Sequence, residues 1–213
     1  MNANISYPRQ PQTDGQYLPL MEQFYTLQGE GYHQGRAAYF IRLAGCDVGC
    51  SWCDVKESWN ADLYHAVSVS ELAAAAAQMP AEIVVVTGGE PLLHPLNALC
   101  HALHKAGKRR HIETSGSSPF SGEWEWVCVS PKKFKHALPE VLIRANELKI
   151  IIYNNHDFIW AEQYAAQVKE HCLLYLQPEW SRAAQMLPLL TEYVKQHPKW
   201  RVSLQVHKYM NIP

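Results

Sequence analysis

The sequence predicts an α/β protein built on a mostly parallel sheet, and three observations carry that expectation. Short runs rich in apolar, β-branched and aromatic residues recur along the 213-residue chain and end in turn-forming or polar residues. Helix-like segments fall between several of these runs. The chemically informative residues follow the runs directly: Cys46 to Cys53, Thr87 to Pro91, Glu113 to Gly116, Ser130 to Lys132, and Gln177 with Pro178. Strand–helix alternation implies parallel strands covered by helices, and such sheets bind ligands at the carboxyl ends of their strands. The pattern fits either an open doubly wound sheet or an incomplete barrel, within the length of one domain.

In chain order the expected strands are "AAYFIRLAG" (37–45), "EIVVVTGGEP" (82–91), "RRHIETSGS" (109–117), "EWVCVSPKK" (125–133), "LKIIIYNN" (148–155), "CLLYLQPE" (172–179) and "RVSLQVHK" (201–208). The alanine-rich "SVSELAAAAAQM" reads as a helix with Ser70 as its N-cap, because a serine hydroxyl can accept from the first turn's N–H groups. "HPLNALCHALHKAG" has apolar residues at helical spacing and Gly107 at its end, a usual helix terminator. "DFIWAEQYAAQVKEH" is expected to open on Asp157, and "SRAAQMLPLLTEYVKQH" follows the "LLYLQP" strand.

A hydrophobic content of 47% with 18% charged residues describes a globular chain with a sizeable core. The net charge of −1 gives no basic field for extended nucleic-acid binding. No run approaches the ~18 apolar residues of a membrane span, and the polar N-terminal stretch "MNANISYPRQPQTDGQY" lacks the apolar core of a signal peptide. A cytoplasmic location is therefore expected. In that reducing setting clustered cysteines bind metal or react, whereas Cys100, Cys128 and Cys172, each alone in an apolar context, read as small buried hydrophobes.

The cysteine cluster is "CDVGCSWC", with Cys46, Cys50 and Cys53 spaced C-x3-C-x2-C. Zinc and ordinary iron–sulfur sites take four protein ligands. One reading is a zinc site that borrows His33 or His65. The other is a cubane cluster on three thiolates, with one iron left open to a substrate or cosubstrate. The triplet, with Trp52 before its last cysteine, resembles the signature of the radical S-adenosylmethionine (SAM) enzymes. The resemblance implies an incomplete, TIM-like barrel of mostly parallel strands with outer helices. It also implies a [4Fe–4S] cluster whose open iron chelates SAM, and reductive SAM cleavage to a 5′-deoxyadenosyl radical. In "VVVTGGEP", Gly88, Gly89 and Glu90 resemble the family's motif for the methionyl amine of SAM. "ETSG" and "SPK" place Glu113, Ser115, Ser130, Pro131 and Lys132 as contacts for the ribose and carboxylate of SAM. Gln177 and Pro178 of "LQPEW" are placed over the adenosine, with Trp52 against the adenine and Cys53 and Asp54 at the edge of the cofactor site.

"FYTLQGEG", "GRAAYFIRLAGC" and the closing "LQVHKYMNIP" narrow the resemblance to the 7-carboxy-7-deazaguanine synthase family, across nearly the whole chain. That family contracts the ring of 6-carboxy-5,6,7,8-tetrahydropterin with loss of ammonia, on the route to queuosine and related 7-deazapurines. The resemblance divides the chain into a substrate-binding extension (1–36), a core (37–206) and a tail docked at the active site (207–213). Residue chemistry suits a pterin. Arg42 offers a two-pronged grip on a carboxylate. Leu27, Gln28, Gly29 and Glu30 can read the aminopyrimidinone edge, and Thr87, His207 and the terminal Pro213 complete the substrate set. No acid–base residue is assigned, since the radical comes from SAM.

One position departs from the family pattern. Where relatives commonly carry a threonine that helps bind Mg²⁺, this chain has Val55, which has no side-chain oxygen. Asp54, Glu57, substrate oxygens and water remain as alternative donors, so the Mg²⁺ requirement stays open. The resemblance further implies a homodimer and a flavodoxin-like or ferredoxin-like electron donor. Two other functions stay open: an activating enzyme for a glycyl-radical protein, and a non-catalytic metal-binding scaffold.

Overall fold

The computed structural model describes residues 14–213; residues 1–13, most of the polar N-terminal stretch, lie outside the described residues. The strands are β1 (Tyr17–Leu27), β2 (Ala37–Leu43), β3 (Ala66–Ser68), β4 (Ile83–Gly88), β5 (Arg109–Thr114), β6 (Trp126–Val129), β7 (Glu147–Ile152), β8 (Leu173–Pro178) and β9 (Trp200–Val202). The helices are α1 (Val69–Ala77), α2 (Asn97–Lys105), α3 (Pro139–Leu142), α4 (His156–Ala165), α5 (Ala183–Gln196) and α6 (Val206–Met210). Among the described residues all the strands join one sheet, ordered β3-β1-β2-β4-β5-β6-β7-β8-β9. From β2 through β4 to β9 the pairs are parallel; β1 runs antiparallel to both β2 and β3.

The order decides between the two architectures. A doubly wound sheet reverses its strand order at a switch point. Here each new parallel strand adds on the same side of the last. Because parallel crossovers are right-handed, an order that never reverses puts the connecting helices on one face. The other face is left to line a trough. The sheet ends at β3 and β9, which do not pair, so it is a partial barrel and not a closed one.

Side chains alternate across these strands with a period of two. Tyr39, Ile41 and Leu43 of β2, Val84 and Val86 of β4, Ile112 of β5 and Leu148, Ile150 and Ile152 of β7 point to one face. There they form the main core with Leu72 and Ala76 of α1, Leu99 and Leu103 of α2, Tyr164 of α4 and Leu190 of α5. Their alternates, Phe40 and Arg42, Thr87, Glu113, Lys149 and Ile151, line the trough. Cys100, Cys128 and Cys172 are buried as expected.

Four local readings are corrected. Helix α1 is capped by Ser68 and not Ser70: β3 ends at Ser68 with extended backbone, and its hydroxyl accepts from Glu71 N at 3.2 Å. The Glu71 carboxylate returns the bond to Ser68 N at 3.1 Å, which makes a capping box. Helix α4 begins at His156, one residue before Asp157, whose carboxylate accepts from Tyr153 N and Asn154 N at 2.7 and 3.1 Å. The final strand is only Trp200–Val202; Ser203 leaves the sheet and "VHKYM" is helical. The eleven-residue β1 was not expected, because it is half exposed and carries Pro19, which weakens a strand reading.

The capping box yields a stability prediction. Ser68→Ala should cost about 1 kcal/mol and lower the melting temperature by roughly 2–4 °C, with no change in the far-UV spectrum of the folded protein. An unchanged melting temperature would show that the cap is energetically idle.

Candidate active site

All five informative strand ends reach a single cavity of about 400 Å³ at the carboxyl edge of the sheet. Its lining includes Cys46, Cys50 and Cys53 after β2, Thr87, Gly88 and Gly89 at the end of β4, and Glu113 and Ser115 at β5. Ser130 and Lys132 enter from β6, Gln177 and Pro178 from β8, and His207, Lys208 and Pro213 from the C-terminal segment. Leu27, Gln28, Gly29, Glu30 and Arg42 close the opposite wall. Of the expected site residues, Glu90 and Pro131 are absent from this lining.

The cysteine wall is built by close backbone packing. Gly88 has φ of 152°, and a Cβ there would stand 2.1 Å from the Leu43 carbonyl oxygen. A Cβ on Gly89 would lie 2.4 Å from the Gly45 carbonyl and 2.6 Å from Cys46 Cβ. The glycine pair thus lets β4 press against the cysteine loop. Burial pushes the Cys46 thiol up to about 11, and it raises Cys50 against the opposing charge of Lys132. Thiols bind metal as thiolates, so loading a cluster at these positions would release their protons. Lys132 Nζ donates to Ser130 O and Ser130 Oγ, both at 2.7 Å, and burial lowers its pKa. Trp52 at the mouth stacks on Tyr153 with centroids 6.2 Å apart, and Asp54 pairs with Lys208 at 3.3 Å.

These residues fit a [4Fe–4S] cluster with one open iron. Three thiols, those of Cys46 and Cys50 buried and that of Cys53 partly exposed, share one loop and one cavity. Among the described residues no three His, Cys, Asp or Glu side chains converge on one ion. A cubane does not require such convergence, since each thiolate binds a separate iron. Neither His33 nor His65 lines this cavity, so the zinc reading loses its fourth ligand. His33 instead packs on His111 and Trp126 around a second cavity of about 10 Å³, room for about one water. Burial holds these two imidazoles down to about 4 and about 3.

Glu90 lies fully buried under the cavity floor. One carboxylate oxygen accepts from Leu92 N at 3.0 Å and Thr114 Oγ1 at 2.5 Å. The other accepts from Ser115 N at 2.7 Å and from the Ser115 hydroxyl. Every acceptor direction of the carboxylate is taken by the protein. Its side chain joins the ends of β4 and β5, and leaves the backbone of the glycine pair to face a ligand.

The wall opposite the cysteines is a polar network. Gln28 Nε2 donates to Glu113 Oε1 at 2.8 Å, and Gln28 Oε1 accepts from Glu30 N at 3.1 Å. Lys149 donates to Glu113 Oε2 at 3.1 Å and pairs with Glu30 Oε2. Gln205 Nε2 donates to the other Glu30 oxygen at 2.9 Å. Burial acts to raise the Glu30 carboxyl, but the charge and hydrogen bond of Lys149 outweigh it and hold it at about 2. Glu113 was expected at the SAM ribose; its carboxylate is engaged here with Gln28 and Lys149. Gly29 is pressed against the His207 ring, where a Cβ would meet Nδ1 at 2.2 Å. Arg42 Nε is held by Glu22 at 2.6 Å, with its guanidinium 6.0 Å from the Phe24 ring centroid. The terminal Pro213 backbone oxygen accepts from Thr26 Oγ1 at 3.4 Å, which ties the last residue to β1.

Lys149, Gln205 and Glu22 were missed in the sequence. For Lys149 a signal existed: a lysine inside the apolar run "LKIII" faces the trough by strand alternation. Gln205 and Glu22 carry no such mark. At the departure from the family pattern, Val55 and Asp54 both line the cavity, whereas Glu57 does not.

Known proteins resemble this chain over most of its length. The radical SAM superfamily model matches residues 40–129, from β2 to the end of β6. The chain is 55% identical to 7-carboxy-7-deazaguanine synthase of Flavobacterium psychrophilum, over 93% of this chain and 94% of that protein. It is 45% identical to the enzyme of the same name from Synechocystis, with 91% and 93% covered. The crystal structure of QueE from Escherichia coli superposes with a TM-score of 0.81 at 34% identity, covering 88% of this chain and 93% of that one.

The Glu90 geometry predicts the effect of removing one oxygen. In Glu90→Gln the amide NH₂ must face either Leu92 N or Ser115 N, whichever way it is turned, and backbone N–H groups cannot reverse. Urea unfolding of the cluster-free protein should therefore show a loss of about 1–3 kcal/mol. Stability equal to the parent would mean that the carboxylate is not held by these donors.

Proposed function

The chain belongs to the 7-carboxy-7-deazaguanine synthase family of radical SAM enzymes, and from that premise we propose that it converts 6-carboxy-5,6,7,8-tetrahydropterin to 7-carboxy-7-deazaguanine and ammonia. The observation that carries the reading is one cavity with two chemically distinct walls: three thiols and a glycine pair on one side, and a carboxylate–amide–ammonium network on the other. When bound, the [4Fe–4S] cluster on Cys46, Cys50 and Cys53 and the SAM beside it would supply the radical chemistry of the ring contraction. The names of the relatives fit this reading and not the activating-enzyme or scaffold alternatives.

The residues divide the work by chemistry. Cys46, Cys50 and Cys53 hold the cluster. The backbone at Gly88 and Gly89, with Ser115, Ser130 and Lys132, orients SAM; Trp52, Gln177 and Pro178 cover its adenosine. Gln28, Glu30 and the backbone of Leu27 and Gly29 read the aminopyrimidinone edge. An analogue that leaves one such buried group unpaired loses roughly 1–3 kcal/mol of binding. Arg42 grips the substrate carboxylate through its Nη groups, since Nε already bonds Glu22. Thr87, His207 and Pro213 close the pocket, and the docked tail excludes water from the radical.

The same proposal includes a carbon–nitrogen lyase assignment, a cytoplasmic homodimer and a flavodoxin-like or ferredoxin-like donor. No helix of the described residues is long and apolar enough to cross a membrane. Mg²⁺, where present, is held by substrate oxygens, water and Asp54, because Val55 at the cavity wall offers no oxygen.

Anaerobically reconstituted protein with SAM, reductant and the carboxytetrahydropterin should release one ammonia per deazaguanine formed. SAM cleavage without ammonia would defeat the assignment. The same assay after chelator treatment, with and without added Mg²⁺, should show acceleration by the ion; equal rates in metal-stripped samples would remove Mg²⁺ from the mechanism.

A further inference from the structure

Lys149 is the buried cation of the substrate wall. Its side chain is 4% exposed, and it reaches the cavity from the middle of β7. It bridges Glu30 from the loop after β1 and Glu113 from β5. Glu147 beside it on β7, Cys128 on β6, Lys132 after β6 and His207 on α6 are its other titratable neighbours. Gln28 hangs on the same frame, since its amide donates to Glu113 and accepts from Glu30 N.

Each carboxylate oxygen of Glu30 and Glu113 accepts one bond from the protein: Gln205 and Lys149 on Glu30, Gln28 and Lys149 on Glu113. An ionised carboxylate oxygen has about two lone-pair directions, so each retains one for a ligand. Two carboxylates and one ammonium leave a single negative charge. That array complements a neutral ligand edge made of adjacent N–H and NH₂ donors. We propose that Lys149 is a positioning residue for substrate recognition, holding Glu30 and Glu113 side by side as two ionised acceptors for the donor edge of the aminopyrimidinone. The role rests on the pterin reading above and extends it to a residue that need not touch the substrate.

Without the ammonium, two carboxylates would share one buried wall. Like charges in that setting retain a proton between them. A protonated carboxyl is a donor, and a donor opposed to the pterin's own N–H groups repels it. Loss of Lys149 should therefore weaken binding in a pH-dependent way. The defect is largest where the pair keeps its proton and fades as rising pH removes it.

The test is fluorescence titration of 6-carboxypterin, an oxidised analogue that cannot react, into cluster-free and reconstituted protein from pH ~6 to ~9. The ring N–H of the probe ionises towards the alkaline end and changes binding to every variant alike, so each variant is read as its ratio to the parent at the same pH. Lys149→Met should bind roughly 10- to 100-fold more weakly than the parent at the acid end and approach it towards the alkaline end. Lys149→Arg should keep a constant ratio to the parent. The double variant Lys149→Met with Glu113→Gln keeps one carboxylate and should also lose the pH dependence of that ratio; it carries the same test if Lys149→Met does not fold. Binding by Lys149→Met within about twofold of the parent at every pH would overturn the proposal. So would a loss that is equal at every pH and persists in the double variant, since that marks packing. A parent protein that turns over the pterin while Lys149→Met behaves in either of those ways refutes only the lysine's role; a parent that neither binds nor converts pterins refutes the function itself.

Discussion

The handedness of the crossovers, combined with an unreversed strand order, is the constraint on which the rest depends. It places the helices on one face of the sheet and fixes what each alternate side chain must be. Residues facing the helices are mainly Val, Ile and Leu, with Tyr39, because they pack in a dry layer. Residues facing the other way enter a space with no covering layer of secondary structure. Arg42, Thr87, Glu113 and Lys149 can stand there because the trough is theirs. The same strands therefore build the core and the site, and neither can shift register without the other. A one-residue slip would turn Lys149 into the core and Ile150 into the cavity.

Cross-strand ties then fix the floor of the trough. Glu90 links the end of β4 to the end of β5 through the Ser115 backbone N–H and the hydroxyls of Thr114 and Ser115, and it also accepts from Leu92 N in its own turn. Gly88 and Gly89 allow β4 to lie against the cysteine loop at distances that no Cβ would permit. These contacts hold the three thiols and the following strand ends in one frame. The buried charges of the opposite wall are less favourable for stability. A buried ion pair seldom repays its desolvation in full, and Lys149 with Glu30 and Glu113 is placed where selection for recognition explains it better than selection for folding.

The C-terminal segment couples β1 and the loop after it to this wall. Val206 N donates to the Gly29 carbonyl at 3.0 Å, Gln205 bonds Glu30, and Pro213 reaches Thr26. The loop after β1 is thus shaped by residues more than 170 positions away. This explains why a half-exposed antiparallel strand is attached to an otherwise parallel sheet: β1 carries the loop to the cavity, and the tail braces it there.

Much of this was legible in the sequence because it depends on local spacing. The strand–helix alternation, the C-x3-C-x2-C loop, the glycine pair after β4 and the clustering of polar residues at strand ends are short-range patterns with direct physical readings. The cap of α1 was misplaced by two residues, because two serines compete there and only the end of β3 selects Ser68. Partnerships were not legible. Nothing near Glu90 in sequence shows that its carboxylate is consumed by Thr114 and Ser115, and nothing near Glu113 shows that it turns to Gln28 and Lys149. Those pairings follow from register across parallel strands and from where the tail docks. The sequence by itself determined which chemistries the protein carries and that they lie at strand ends; only the tertiary structure decided which groups face one another, because hydrogen bonds and charges act across a few ångströms of space, whatever their separation along the chain.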